Sequence, residues 1–519
     1  MAQLIKKTID AAFRHSRIFS RINEKKAIVR RSITTIQNPL LGTPNLAVDI
    51  RSTLLLPNRS EYDEDIKWLF PASKEVEELC FAHKHRSSFT SVVYRFNAKL
   101  PLKHEEVEKA LIILQRKIPS FRCCMKKRDD QFWICDTNPE IDFEILEGVS
   151  SSDVINSFCN DAMGYEEAPL WKTRLLKAPD DSPCILPEIK EAFPYQYDLM
   201  VSYHHAFVDG YTGVIFANTL VQVLNDIIAG RPVDNQTCAV YASDADIQEL
   251  NTKIRRRLED DPDRLRELKE EILACNNTPI LFKAYPPPGG EDHSVAIAEN
   301  IDNQTLQKFH AYCKNAGVTF NSGFEALINT ALVEMVRDAG VGDESHQISI
   351  NLSMDLRRYK RRYELPIVGL HRRQYTHRIS TSSNVRNHFW KYTQKLHNKL
   401  NKKITSGEVL EQYVVRQMTM PQIQYDEYYK GNPPMVRDYC LANIGDITKA
   451  LPGVGDHLQL TSTYCKTGLI KAPYLMMHHT FTFRGHSPYT LSYNQKYMSD
   501  DTAGQLMDRV MNLLQNFPQ

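Results

Sequence analysis

The sequence predicts a mixed α/β protein made of two similar sandwich-like halves that face each other. Three observations lead there. Stretches with period-two apolar alternation interleave with stretches of period 3.6 along most of the chain. One clear break, Pro286-Pro287-Pro288-Gly289-Gly290, divides a first half from a second half built in the same style. The composition is that of a folded protein, with 42% hydrophobic and 24% charged residues and 21 Gly among 519. At about 150 residues per domain the length alone would allow three or four units. The expected division is a basic extension and linker over 1–65, an N-terminal half over 66–285 and a C-terminal half over 291–519, although no residue-level repeat links the halves.

Folded character begins near Leu69. Glu75 to Phe81 reads as a short helix, and Ser88 to Phe96, rich in β-branched and aromatic residues, as a strand. Val107, Ala110, Leu111 and Leu114 then recur at helical spacing within Lys103 to Gln115. Strands are expected at Phe132–Cys135 and Phe143–Leu146, and a helix around Ser152–Asp161. Another strand, Leu199–Tyr203, runs into two adjacent histidines. A helix from about Tyr211 to Ala229 is closed by Gly230, with Pro232 just beyond. Residues 248–275 carry Glu and Lys/Arg at helical spacing and read as a solvated helical excursion. In the second half, a strand at Val295–Ile301 precedes helices at Asn303–Asn315 and Asn321–Asp338. Strands follow at Gln347–Leu352, Leu475–Phe483 and Tyr489–Tyr493, and Asp500 to Leu514 forms a last helix.

Composition excludes several function classes. Mean hydropathy is negative. The most apolar stretch, Gly213 to Gly230, is interrupted by Asn218, Gln222, Asn225 and Asp226, so no membrane span is expected. A net charge of +1 gives no reason to expect a nucleic-acid partner. That balance hides an asymmetry, because residues 1–35 hold nine Lys or Arg against Asp10 and Glu24. Leu4, Ile5, Ile9 and Phe13 beside Lys6, Lys7, Arg14 and Arg17 would form two faces of a helix. The segment reads as a basic tail, a peripheral membrane helix or a mitochondrial presequence. Eleven cysteines without a CxxC pair point to reduced thiols in an intracellular, cytoplasmic setting, with no metal site.

One constellation carries chemistry. His204-His205-Ala206-Phe207-Val208-Asp209-Gly210 lies between a strand and a helix, and its chance occurrence in such a chain is on the order of one in a thousand. Imidazole titrates near neutrality and suits general-base work. Asp209 can turn back to fix the loop, and Gly210 allows close approach or an unusual φ. A metal pair is the competing reading, but no third ligand sits at convincing spacing. His478-His479 in a late strand are expected to be one buried and one exposed.

The motif resembles the active-site signature of the chloramphenicol-acetyltransferase-like acyltransferase superfamily. That group includes peptide-synthetase condensation domains, alcohol acetyltransferases, plant BAHD enzymes and wax ester synthase/diacylglycerol acyltransferases. Further segments carry the resemblance over most of residues 69–519. Ile118-Pro119-Ser120-Phe121-Arg122 is similar to the family's segment after its first long helix, and Pro169-Leu170-Trp171 to its "PLW" segment. The helix through Val318-Thr319-Phe320 to Ala331-Leu332 resembles the one opening the second half. Asn351 to Arg357 resembles a strand followed by Asp-x-Arg, and Asn443-Ile444-Gly445 a segment near the family's crossover. The plant DFGWG segment is absent, and Asn321-Ser322 stands where wax ester synthases have Asn-Asp.

The resemblance implies two chloramphenicol-acetyltransferase-like sandwich domains with an active-site tunnel between them. It implies transfer from acyl-CoA, as co-substrate rather than bound cofactor, to an alcohol by direct attack without an acyl-enzyme. His205 would be the base. Asp209 would pair with an arginine, Arg122 first or Arg357 second, and His204 and Gly210 would support the loop. Oxyanion candidates are the Gly210 N–H, Ser353 and Asn443. Arg358, Arg361, Arg362, Arg372 and Arg373 are candidates for the phosphates of coenzyme A or form an ordinary solvated loop. No attached carrier or adenylation segment is evident, so a standalone, monomeric enzyme is expected. An amide-forming, carrier-dependent condensation enzyme and a catalytically silent scaffold are the alternatives.

Overall fold

Period-two patterning in each half is realised as a large sheet. The computed structural model describes residues 66–419, 424–431 and 433–516. The basic segment 1–35 and the linker 36–65 lie outside the described residues. A five-stranded sheet runs in the order Leu458–Leu469, Ser87–Ala98, Tyr195–Tyr203, Trp171–Lys177, Phe143–Leu146. A six-stranded sheet runs Arg372–Ser382, Ser345–Asp355, Arg437–Asp446, Tyr474–Thr482, Ser487–Asn494, Ser294–Ile301. Lys67–Pro71, Gln131–Asp136 and Cys123–Arg128 add a small antiparallel sheet.

The first sheet takes one strand from the second half. Leu458–Leu469 pairs antiparallel with Ser87–Ala98, from Leu458 opposite Ala98 to Leu469 opposite Ser87. Val240–Tyr241 and Ile367–Val368 pair in parallel as a second link. Sequence patterning does not anticipate either crossing.

The two faces of the six-stranded sheet differ, as alternation requires. One face carries Ile350, Leu352, Tyr439, Leu441, Met476 and Leu491, packed with the Phe320–Asp338 and Asp500–Gln515 helices into one core. Burying each such side chain stabilises by roughly 1.5–3 kcal/mol. The other face is polar, with Arg372, Gln374 and Thr376 opposite Asp355, Ser353 and Asn351. Cys440 and His479 continue that face on the next strands.

In the first half, Phe121, Trp171, Tyr203 and Phe216 pack ring to ring, with centroids 5.0 to 6.0 Å apart. The Trp171 Nε1–H donates to the Phe121 carbonyl at 3.1 Å. The segments around Phe121 and Trp171 are therefore core that seats the strand leading to His204.

The charged excursion departs from expectation. It forms the Ala245–Asp260 and Pro262–Ala274 helices, and its arginines are not simply solvated. Arg264 bonds buried Glu411 at 2.8 Å and Glu408 at 3.0 Å, and Arg257 also pairs with Glu411. Both glutamates lie on the Glu408–Thr419 helix. Among the described residues, no helix is long and apolar enough to cross a membrane.

Candidate active site

The Tyr195–Tyr203 strand is third of five in its sheet, and nearly all of its residues are buried. It delivers His204 and His205 into a tight loop that ends at Asp209, the N-cap of the Gly210–Ile228 helix. The Asp209 carboxylate accepts from the Thr212 N–H at 3.0 Å and the Thr212 hydroxyl at 2.9 Å, satisfying a helix-end donor.

Arg357, the second candidate, is the partner of Asp209. Its Nη1 and Nη2 donate to the two carboxylate oxygens at 2.8 and 2.9 Å, and its Nε donates to the Ile367 carbonyl at 2.9 Å. The guanidinium also lies over the Tyr211 ring, 4.6 Å from its centre. Burial alone would raise the Asp209 pKa, but Arg357 overrides it and holds the carboxyl well below the usual range. Arg122, the first candidate, lies elsewhere. It forms its own bidentate pair with Asp136 at 2.9 and 3.0 Å and caps the carbonyls of Gln115 and Arg116. Sequence distance could not choose between two arginines, each of which follows a structured segment.

His205 is oriented from both sides. Its Nδ1 lies 2.7 Å from the Val208 carbonyl, which can only accept, so Nδ1 carries the proton. Nε2 therefore presents its lone pair, and the Nε–H of Arg372 donates to it at 3.2 Å. Burial and then Arg372 push the His205 pKa down to about 4, so the ring is neutral at physiological pH.

A model of the alcohol acetyltransferase family matches residues 147–430, a span that includes His205, Asp209, Arg357 and Arg372. The chain belongs to the alcohol acetyltransferase family. The sequence matches none of the curated proteins compared with it. Among solved structures it resembles the trichothecene 15-O-acetyltransferase of Fusarium sporotrichioides, at 12% identity and a TM-score of 0.63 over 88% of this chain and 98% of that one. It also resembles the first condensation domain of the calcium-dependent antibiotic synthetase bound to a substrate analogue, at 10% identity and a TM-score of 0.60 over 88% and 98%. The epimerization domain from the third module of tyrocidine synthetase B gives 14% and 0.58 over 88% and 97%. These likenesses establish the two-lobed condensation/acyltransferase fold that the motifs imply.

In this acyltransferase the histidine pair has a third member. His83, on the Lys74–Lys84 helix, stacks on His204 with centroids 4.2 Å apart, and its Nε2 accepts the His205 backbone N–H at 3.2 Å. Burial lowers the pKa of His204 to about 3 and that of His83 well below the ordinary histidine value. His479 is buried as well, with Nε2 3.3 Å from the Thr467 hydroxyl, and burial lowers it to about 3. His478 faces the apolar side, its Nδ1 2.7 Å from the Tyr489 hydroxyl. The expected split of one buried and one exposed histidine fails because this central strand is covered on both faces.

Gly210 meets its constraint by close approach. A Cβ there would lie 2.9 Å from Ile444 Cδ1, so the 443–445 segment leans directly on the motif. Asn443 Oδ1 accepts the Gly445 N–H at 2.8 Å, and Ser353 is exposed on the polar face of the sheet.

The basic stretch is dispersed. Arg373 is buried, bonded to Glu75 at 2.8 Å and Asn251 at 3.1 Å and stacked on Tyr413, so it is not available to phosphate as expected. Arg372 meets His205 Nε2. Arg358, Arg361 and Arg362 are exposed, with Arg358 over Tyr359 and Arg361 over Tyr363. Strand alternation separates the neighbours Arg372 and Arg373, and it would be the signal for that split had the strand been recognised. Among the described residues no three His, Cys, Asp or Glu side chains converge as a metal site would require.

Proposed function

We propose that this acyltransferase moves an acyl group from acyl-CoA to an alcohol, with His205 as general base. The observation that carries the reading is the pinned tautomer of His205. Its Nδ1–H is committed to the Val208 carbonyl, so Nε2, now met by the Arg372 N–H, is the atom whose lone pair would take the proton of an acceptor hydroxyl. The hydroxyl proton passes to Nε2 as its oxygen attacks the thioester carbon. The C–S bond then breaks, and the sulfur takes the proton from the imidazolium to leave as free thiol.

Direct attack needs no nucleophilic thiol. Cys440, the cysteine on the polar face, is pushed up to about 12 by burial and is a poor thiolate. The developing oxyanion would draw on the Gly210 N–H, Ser353 and the Asn443 Nδ2 donors, the Asn443 oxygen being already engaged by Gly445. We assign the coenzyme A phosphates to the exposed Arg358, Arg361 and Arg362, because the pantetheine arm separates them from the thioester.

The test incubates the protein with acetyl- to palmitoyl-CoA and pooled alcohols and amines, and reads products and intact protein by mass spectrometry. Ester formation with an unmodified protein mass is expected. Amide products, or a requirement for an acylated carrier protein, would replace this reading with condensation chemistry.

A further inference from the structure

The proposed base is met by a cation. With Nδ1–H on Val208, the one free lone pair of His205 faces Arg372 Nε at 3.2 Å. An acceptor hydroxyl must occupy the place that this N–H now fills. A neutral alcohol offers the displaced guanidinium an acceptor oxygen but no charge, and the positive charge left beside the imidazole opposes its protonation.

The surroundings neutralise Arg372 only in part. Asp355, its partner in register on the neighbouring strand, is engaged by Arg357 at 3.1 Å. A second guanidinium, Arg416, reaches the same face of the Arg372–Ser382 strand, bonding the Thr376 hydroxyl. A third, Arg437, has Nε buried with no partner. Burial, followed by the neighbouring Arg416 charge, lowers Arg437 to about 10. Against these stands one carboxylate, Glu78, which faces both Arg416 and Arg372 and also takes the Tyr429 hydroxyl at 3.2 Å, so it can balance at most one of the two guanidiniums.

We propose that the acceptor alcohol carries a carboxylate, and that Arg372 binds this carboxylate and in doing so frees His205. The inference rests on His205 being the base. A guanidinium matches a carboxylate in two-toothed geometry, so the anion draws Arg372 off Nε2 and neutralises the charge beside the ring. The hydroxyl of the same molecule then takes the vacated position, gives its proton to Nε2 and attacks the thioester carbon; the thiol leaves and the product is an acyloxy carboxylate. The phosphates of coenzyme A cannot be the anion, because the thioester carbonyl must itself lie at His205 and the pantetheine arm holds them away. The acceptor, not the acyl group, is selected, since the acceptor oxygen exchanges places with the Arg372 N–H.

The test compares lactate, 3-hydroxybutyrate and 12-hydroxystearate with their methyl esters as acceptors for acetyl-CoA, using the full chain. The acid of at least one pair is expected to exceed its ester at least tenfold in kcat/KM. That ratio collapses toward one in Arg372→Gln and is partly kept in Arg372→Lys. Esters that equal or surpass the acids in every productive pair would overturn the proposal. So would a preference that survives Arg372→Gln. If no pair is turned over, calorimetric titration of the same compounds decides. Acid binding that is absent for the esters and lost in Arg372→Gln upholds the anion site while the transferase reading fails; equal binding of acids and esters, or none, overturns it.

Discussion

The Asp209 carboxylate and the Arg357 guanidinium meet through two parallel bonds of 2.8 and 2.9 Å, joining positions 148 residues apart. Asp209 also caps its own helix and accepts the His371 N–H at 3.0 Å. One carboxylate thus fixes the helix start, the His205 loop and the segment that leads into the Arg372 strand.

Breaking this pair should unfold more than it inactivates. Asp209→Ala leaves the half-buried Arg357 with only the exposed Asp355 carboxylate and the Ile367 and Gly369 carbonyls as partners, and about 3 kcal/mol of stability, the low end for breaking a buried pair, should be lost in urea unfolding. Arg357→Lys should also lose stability, because an ammonium cannot reproduce the two-toothed contact. The depressed pKa of Asp209 stabilises the fold above the ordinary carboxylate range, and that contribution fades as pH falls toward the folded value. The difference in stability between wild type and Asp209→Asn should therefore shrink in acid.

The buried histidines set a second pH dependence. His83, His204, His205 and His479 all have lowered pKa values, chiefly through burial. The unfolded chain binds protons at these sites below about pH 6.5 while the folded chain does not, so stability should fall as pH drops from there. Thermal unfolding between pH 7.5 and 5 checks this, and replacing His479 by Gln should flatten the slope.

Arg372 should leave its mark on the activity profile. With His205 near 4, the acidic limb of kcat/KM should lie well below the usual histidine range. Arg372→Gln removes the second cause of that shift and should move the limb to higher pH. Burial, the larger cause, remains, so the limb should stay below 6.5.

Gly210 gives a steric prediction across the halves. Gly210→Val would press on Ile444, whose Cδ1 already lies 2.9 Å from a Cβ position. Because the contact is the flexible end of an isoleucine that is itself 40% exposed, the loss should stay below about 1 kcal/mol. The Gly210→Val/Ile444→Ala double variant should recover part of that loss, measured as coupling in a double-mutant cycle.

Sequence reading succeeds where local pattern and burial agree. The strand into His204, the helix after Gly210 and the Phe320–Asp338 helix are legible because each buries a continuous apolar stripe and is punctuated by Gly, Thr or Asp. The Arg372–Ser382 strand is not legible. It runs RRQYTHRISTS, and both of its faces carry polar groups, Arg372 and Gln374 on the face that meets His205 and Arg373 and His377 toward buried partners. Leu458–Leu469 is missed as a member of the first sheet because nothing local encodes a partner more than 360 residues away.

At the site, the motif itself names His205 and Asp209, whereas their partners come from tertiary structure. The choice of Arg357 over Arg122 depends on which strand end meets the helix cap. His83 offers no signal beyond a lone histidine in a short helix, yet it holds the His205 backbone. Burial of both His478 and His479 follows from a central strand covered on each face.

The most direct test of the account measures acceptor-dependent thiol release from acyl-CoA by wild type and His205→Ala, with the folding of both verified by thermal unfolding. The account predicts release by the wild type and at least a hundredfold loss in the variant, with little change in melting temperature. Undiminished release by a folded His205→Ala protein would contradict it.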